Sequence, residues 1–257
     1  MVGQDGTGAG RPAAVTVGDE LILGERPNDN LVWMLRAFAE RGRPAQVGLV
    51  LPDHDEVIAF HVRTLLEQGC RPVFISGGIG GTHDDRTRQG VALALNRPLE
   101  LHAQCDALLA RRYKERYTEQ RRRMAWLPRG ASLIPNATGA PGFQVESVYA
   151  FPGFPSMLKP MAAAVLDELW GPAGGPPVDT AEITLPVPEG DVAGRVEDFA
   201  RRHPRVRVGI YPRITPGGPE VSIRFRFGKD DGASRRDVET FLSDLRVHHG
   251  AEGPQNR

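Results

Sequence analysis

The segment SGGIGGTHDD, residues 76–85, constrains the fold more than any other part of the sequence. Four glycines within five positions are unfavourable inside a helix or a strand, so they predict a loop. The loop follows a short apolar run, Val73 to Ser76, and precedes a predicted helix that begins near Asp85. Backbone amides of such a loop can approach an anion, and open α/β sheets bind ligands at the carboxyl ends of their strands. The predicted ligand-binding residues of this loop are Ser76, Gly77, Gly78, Gly80 and Thr82.

Short Val- and Ile-rich runs alternate with segments of helical period along the first two thirds of the chain, which is typical of a mostly parallel sheet covered by helices. Predicted strands are 13–17, 47–51, 73–76, 132–135 and 145–151. Predicted helices are 30–41, 53–68 with Asp53 as its cap, 103–123 and 156–170. The pattern predicts a Rossmann-like three-layer α/β domain over residues 11–170.

The stretch GPAGGPP, residues 171–177, has the composition of a linker. Beyond it, residues 178–250 predict a small α+β domain of the order βαββα. Val221, Ile223, Phe225 and Phe227 alternate with polar residues, so this strand has one core face and one wet face. The arginines at positions 224 and 226 offer either a cationic strip for a phosphate or an ordinary solvated strand face.

Composition excludes several classes of protein. The 32 Lys and Arg residues balance 32 Asp and Glu residues, so no global field favours nucleic acid or an acidic membrane. The charge run RRYKERYTEQRRR is interpreted as a solvated helix face. Cys70 and Cys105 have no zinc or disulfide spacing. Neither a signal peptide nor a bilayer-spanning run is expected, so we predict a cytoplasmic protein with no nucleic-acid or membrane partner.

Asp84 and Asp85 place two carboxylates beside a loop suited to phosphate, which makes electrostatic sense if a cation bridges them or if one is a helix cap. Both alternatives remain open for Asp85. Carboxylate oxygens favour Mg²⁺ or another hard divalent cation. His83 is a general-acid candidate or a passive hydrogen-bond partner.

A second cluster, VGDELILGERPNDN at residues 17–30, follows the first strand. Gly18, Asp19 and Glu20 are expected at the same edge of the sheet as the glycine-rich loop. Asp19 and Glu20 are candidates for a metal or a ribose hydroxyl, although Asp19 also suits a turn cap. Asn30 belongs to the NDN triplet that starts the next helix.

Two further loops, PNATGAPGF at residues 135–143 and FPGFPSMLK at residues 151–159, are punctuated by Pro and Gly. Their candidate ligand-binding residues are Asn136, Gly139, Pro152, Gly153 and Ser156. Lys159 lies one turn into the following helix, where it either reaches a phosphate as a point charge or is a surface lysine.

These clusters, in this order, resemble the molybdopterin-binding domain of the MogA and MoaB proteins and, more closely, the N-terminal part of competence-damage-inducible protein A, CinA. That family has motifs similar to TIGDELLLG, DTN, TGGLGPTHDD, PNPVGTAPGF and LPGVPSEMK. The corresponding segments here are TVGDELILG, NDN, SGGIGGTHDD, PNATGAPGF and FPGFPSMLK. The chain departs from the family pattern at Asn28, Gly81 and Met157, where the family has aspartate, proline and glutamate.

The resemblance implies a doubly wound fold that binds a phosphorylated pterin or an adenine nucleotide. It places Asp85 at the aspartate that the MogA group uses at its metal and adenylyl-transfer site. Together with the residue patterns, this predicts a divalent metal held by Asp85, Asp84 and Asp19, with Asp85, Asp84 and Lys159 as catalytic residues. CinA-type domains are linked to metal-dependent hydrolysis of the pyrophosphate in ADP-ribose or a related dinucleotide. The amidohydrolase domain of CinA proteins is expected to be absent, since the sequence ends at Arg257.

Three functions follow. The first is hydrolysis of a phosphoanhydride bond in ADP-ribose or a similar dinucleotide. The second is a non-catalytic molybdopterin- or nucleotide-binding protein, which is favoured by the two missing carboxylates at positions 28 and 157. The third, a protein-interaction module in the small domain, has no motif in its support. A homo-oligomer is expected in each case.

Overall fold

A computed structural model of the chain describes residues 10–174 and 178–249. The chain separates into two compact units, with the boundary between Gly174 and Gly175. This boundary falls within the predicted linker, of which residues 175–177 lie outside the described residues. Residue 250, the predicted end of the small domain, also lies outside them.

The first unit is built on a mixed sheet of six strands. Its strands are β1 (Ala13–Val17), β2 (Val47–Leu51), β3 (Val73–Ser76), β6 (Ser132–Ile134), β7 (Gly142–Val145) and β8 (Val148–Phe151). The unit also contains a separate two-stranded sheet of β4 (Leu99–Leu101) and β5 (Trp126–Pro128). The order is β2-β1-β3-β8-β7-β6, and the four strands from β2 to β8 are mutually parallel. The carboxyl ends of these four strands therefore lie at one edge.

Helices cover both faces of this sheet, as the three-layer prediction requires. They are α1 (Asp19–Ile22), α2 (Asp29–Glu40), α3 (Asp55–Glu67), α4 (Thr87–Ala94), α5 (Ala103–Tyr113), α6 (Glu119–Arg122) and α7 (Pro155–Trp170). Successive residues of β3 point to opposite faces, so Val73 and Ile75 pack with α3, α4 and α5, while Phe74 packs with α2 and α7. Burial on both faces explains why the parallel strands are continuous apolar runs.

The second unit has the predicted βαββα order. Its elements are β9 (Val178–Leu185), α8 (Gly190–Arg202), β10 (Arg207–Thr215), β11 (Gly218–Gly228) and α9 (Gly232–His249). The three strands form an antiparallel sheet in the order β10-β11-β9. On its exposed face Arg224 forms an ion pair with Glu182, Nε to Oε2 at 2.8 Å, so this arginine is already neutralised. A solvated strand face accounts for it.

Two element predictions are wrong. The predicted helix 103–123 is interrupted, because Lys114 has a positive φ of 49° and Thr118 caps the separate helix α6. The predicted strand 145–151 is a hairpin of β7 and β8, in which Glu146 occupies the left-handed region with a φ of 53°. Neither lysine nor glutamate is a residue that signals such a turn.

The predicted Asp53 cap is also wrong, and the cap alternative for Asp85 is excluded. The N-cap of α3 is His54, not Asp53, and the N-cap of α4 is Arg86, not Asp85. The side chains of both aspartates therefore serve other purposes at the sheet edge. No helix among the described residues is long and apolar enough to cross a membrane.

Candidate functional site

A cavity of about 730 Å³ lies at the carboxyl ends of the parallel strands; we call it the edge pocket. Most of the predicted site residues line it, namely Gly18, Glu20, Asn30, Ser76, Gly77, Gly78, Gly80, Thr82, Asp84, Asp85, Gly139, Pro152 and Gly153. Segments from four separate loops thus meet at the carboxyl edge of the sheet, where they enclose one cavity of the size that small ligands occupy.

The glycine-rich loop is fixed to the sheet by its first residues. Gly77 has a φ of 102°, and a Cβ added there would lie 2.2 Å from the carbonyl oxygen of Val17. Its amide donates to the carbonyl of Phe151 at 3.1 Å. Thr87, at the start of α4, donates through its hydroxyl to the Gly77 carbonyl and through its amide to that of Gly78, at 2.8 Å and 2.9 Å. Only glycine allows this close approach between the loop and β1.

Asp85 closes the same loop on itself. Its Oδ1 accepts the amide of Gly80 at 2.7 Å, and its Oδ2 accepts the amide of Thr82 at 2.8 Å and also the Thr82 hydroxyl. The buried Arg88 donates to the carbonyl of Ile79. Burial lowers the pKa of the Arg88 guanidinium to about 10. The amides of Gly77 and Gly80, two of those expected between Gly77 and Gly81 to face a phosphate, therefore already have partners within the protein.

Asp53 is the site residue that the sequence analysis misassigned. It follows β2 directly, and its Oδ2 accepts the amide of Asp19 at 3.0 Å, while Asp19 Oδ1 accepts the Asp53 amide at 3.1 Å. Burial, followed by the charges of Asp19, Glu20 and Asp84, raises the pKa of Asp53 to about 6. The position of Asp53 in the sequence could have identified it. Because β2 is parallel to β1 and β3, the residues that follow β2 lie at the same edge of the sheet as those that follow β1 and β3.

Two asparagines hold the loops in place. Asn30 Nδ2 donates to Ser76 Oγ at 3.0 Å and to the Gly153 carbonyl at 2.6 Å, which joins three segments of the pocket wall. Asn28 accepts the amide of Leu31 at 3.1 Å as the N-cap of α2, and donates to Thr16 Oγ1 at 2.7 Å. The asparagine that replaces a family aspartate at position 28 therefore has a structural role in this chain.

Four predicted site residues do not line the edge pocket: Asp19, Asn136, Ser156 and Lys159. Lys159 and Ser156 are exposed on α7, and Asn136 holds its own loop by donating to the Ala140 carbonyl at 2.8 Å. Across residues 10–174 and 178–249, no group of three or more His, Cys, Asp or Glu side chains is arranged to hold a metal. Asp19, Asp84 and Asp85 are therefore not arranged as the three-carboxylate metal centre that the sequence predicts.

The fold and the edge pocket define a class of protein, and comparison with known sequences identifies the family. Residues 13–170 match the model of the family described as "Probable molybdopterin binding domain". The chain belongs to this family of molybdopterin-binding domains, as its motifs predict.

Relatives of the chain include a CinA-like protein. A CinA-like protein of Frankia casuarinae is 34% identical over 212 residues, which cover 76% of this chain and 49% of the relative. A protein of Aeropyrum pernix is 35% identical over 223 residues, covering 82% of each chain. The chain thus spans about half the length of the Frankia relative.

A solved structure gives the same result for the first unit. The crystal structure of CinA from Thermoplasma acidophilum, a protein of unknown function, is 29% identical. It covers 63% of this chain and 98% of its own, with a TM-score of 0.59. The predicted CinA-type resemblance is confirmed for the domain that contains the edge pocket.

Proposed function

We propose that the first unit binds a phosphorylated pterin or an adenine nucleotide in the edge pocket together with a divalent cation. The family description supports a pterin ligand, and the volume of about 730 Å³ suits a ligand of this size. The loops at the carboxyl edge of a parallel sheet are the usual position for such a ligand.

The charge of the pocket wall carries this proposal. Of the described residues that line the edge pocket, five are acidic, namely Glu20, Asp29, Asp53, Asp84 and Asp85, and one, Arg26, is basic. A phosphate brought into this wall without a counter-charge would be repelled, since like charges in a partly desolvated site interact strongly. The ligand therefore needs a cation to accompany it.

The donor set fits Mg²⁺ that arrives with the ligand better than a metal held by the protein alone. Mg²⁺ usually keeps several waters and is bound by one or two carboxylates plus substrate phosphates. Asp53 and Glu20 are the residues that would hold it, because both line the edge pocket and the Glu20 charge contributes to the raised pKa of Asp53. The ion would neutralise the ligand phosphate.

Calorimetric titration with AMP, ADP-ribose and a molybdopterin intermediate, with and without Mg²⁺, tests this function. We expect Mg²⁺ to strengthen binding of at least one ligand, and Asp53→Asn to weaken that Mg²⁺-dependent binding by about tenfold, or about 1.4 kcal/mol. The control is Glu40→Gln, an exposed acid on α2 outside the pocket wall. Equal affinities with Mg²⁺ and with EDTA for every ligand would contradict the proposal.

Hydrolysis of a phosphoanhydride is a second candidate function. A carboxylate with a pKa of about 6 is mostly ionised at pH 7 and is suited to accept a proton from water when no cation occupies it, and Asp53 has this property within the pocket wall. Water would add across the P–O–P bridge of ADP-ribose to give AMP and ribose 5-phosphate. Mass spectrometry of the products tests it: AMP and ribose 5-phosphate formed by the wild type but not by Asp53→Asn support turnover. Unchanged ADP-ribose leaves binding as the function.

A further inference from the structure

A second cavity, also of about 730 Å³, lies on the other side of the loop that contains Asn136 and Gly139. We call it the arginine pocket, because Arg111 and Arg112 of α5 line it together with His102. Gly139 lines both cavities. No carboxylate is among the described residues that line the arginine pocket, whereas five line the edge pocket.

Arg111 and Arg112 carry N–H groups that are available to a ligand in this pocket. Arg112 donates from Nη2 to the Thr138 carbonyl, which fixes the guanidinium against the loop and leaves most of its five N–H groups for other partners. Arg111 is exposed on the same helix turn. By contrast Arg122 is paired with Asp106, Nε to Oδ1 at 3.2 Å.

His102 adds a further donor. Its Nδ1 accepts the amide of Cys105 at 3.2 Å as the N-cap of α5, so the neutral ring carries its proton on Nε2. The rest of the wall is partly apolar, with Leu108, Leu133 and Pro135. A cavity with an apolar wall and a few convergent polar groups is typical of small-molecule sites.

We propose that the arginine pocket is a second, metal-independent site for a small organic phosphate, with Arg111 and Arg112 as its phosphate ligands. Guanidinium groups match phosphate oxygens in planar, bidentate geometry, which suits a phosphate monoester. The apolar wall suits a planar base or sugar attached to that phosphate. Because the two pockets share Gly139, a ligand with two phosphoryl groups could place one beside the cation proposed for the edge pocket and the other beside the two arginines, and this last point alone rests on the proposed function.

Titration of the full chain with AMP in EDTA tests the site, because the edge pocket needs a cation and this pocket does not. We expect the wild type to bind AMP, and Arg111→Gln to weaken this binding by about tenfold to a hundredfold. Arg111→Lys, which keeps the charge and loses the planar fork, should fall between the two. The matched control is Arg116→Gln, an exposed arginine that lines neither pocket.

The outcomes separate the two proposals. Absence of AMP binding in EDTA, or EDTA binding that Arg111→Gln leaves unchanged, overturns the arginine pocket even when Mg²⁺-dependent binding persists. Binding in EDTA that requires Arg111, without any effect of Mg²⁺ on any ligand, supports the arginine pocket and contradicts the proposed function of the edge pocket.

Discussion

Asp53 and Asp85 lie in the same pocket wall but differ in what their oxygens bind. Asp85 accepts two amides and a hydroxyl from its own loop. Asp53 accepts one amide and faces the like charges of Asp19, Glu20 and Asp84. One carboxylate is therefore part of the architecture of the loop, while the other is held at a cost that a cation would remove.

This difference shows that position at the sheet edge does not by itself assign a role. Both aspartates follow parallel strands, and the motif THDD draws attention to Asp85. The hydrogen bonds of each carboxylate decide its role. A carboxylate that accepts three local donors has less capacity left for a ligand, whereas one surrounded by acids has an electrostatic reason to bind a cation.

The largest predicted effect concerns Gly77, which holds the glycine-rich loop against β1. Gly77→Ala should destabilise the first unit by about 3 kcal/mol or more, because a Cβ at 2.2 Å from the Val17 carbonyl must displace backbone and the φ of 102° is strained for alanine. Urea unfolding measures the change. Gly24→Ala is the control: its φ is 72° and a Cβ there meets no atom within 4 Å, so about 1 kcal/mol is expected. Equal losses would show that the loop is not fixed to β1.

Asp85→Asn tests the architectural role directly. The two oxygens of Asp85 accept separate amides, and asparagine has one oxygen, so its amide would face an N–H donor. We expect a loss of about 2 kcal/mol in the free energy of unfolding. Asp84→Asn, a neighbouring exposed carboxylate, should change stability by less than about 0.5 kcal/mol. Near-normal stability of Asp85→Asn with lost ligand binding would make Asp85 a ligand-site carboxylate instead.

Asp53→Asn should raise the free energy of unfolding, whereas Asp85→Asn should lower it. The folded-state pKa of about 6 exceeds the ordinary aspartate value of 3.8, so the ionised form is unfavourable in the folded protein. This penalty is absent below about pH 4 and complete above about pH 6, so the free energy of unfolding falls as pH rises through this window.

At pH 7 the penalty is about 1 kcal/mol after allowance for solvent screening of a partly exposed group. Asp53→Asn should therefore stabilise the protein by that amount at pH 7 and by much less at pH 3.5, as measured by urea unfolding at both values. Destabilisation at pH 7 would mean that Asp53 is satisfied in the same way as Asp85.

The sequence predicted the layers of the fold because its parallel strands are uninterrupted apolar runs that end in glycine or polar residues. Val73 to Ser76 is buried at every position, and the turn that follows contains residues that only a loop tolerates. Strands β4 (LEL) and β5 (WLP) contain no Val or Ile, so they lack the composition that predicts the other short strands. The break at Lys114 is not signalled by that residue, because lysine rarely occupies the left-handed region.

The sequence predicts where the candidate site lies, but it does not predict the different roles of Asp53 and Asp85. The glycine spacing correctly placed the loop in the pocket wall, since a close approach to β1 needs glycine at position 77. That Asp85 would bond to Gly80 and Thr82 depends on the turn conformation, which composition does not determine. Asp53 was assigned as a helix cap because aspartate before an amphipathic segment is the usual capping pattern.

The smallest predicted effect concerns Lys159, the basic residue that the family resemblance places in the site. If the counter-charge for a ligand phosphate comes from a cation at the Asp53 side, Lys159→Ala should change Mg²⁺-dependent affinity by less than about twofold, since the side chain is exposed on α7 and outside the pocket wall. Stability should change by less than about 0.5 kcal/mol. Calorimetric titration with the ligand that responds most to Mg²⁺ measures the first quantity. A tenfold loss of affinity would show that α7 moves to bring Lys159 to the phosphate, and the acidic side of the pocket would then be neutralised by the protein as well as by the ion.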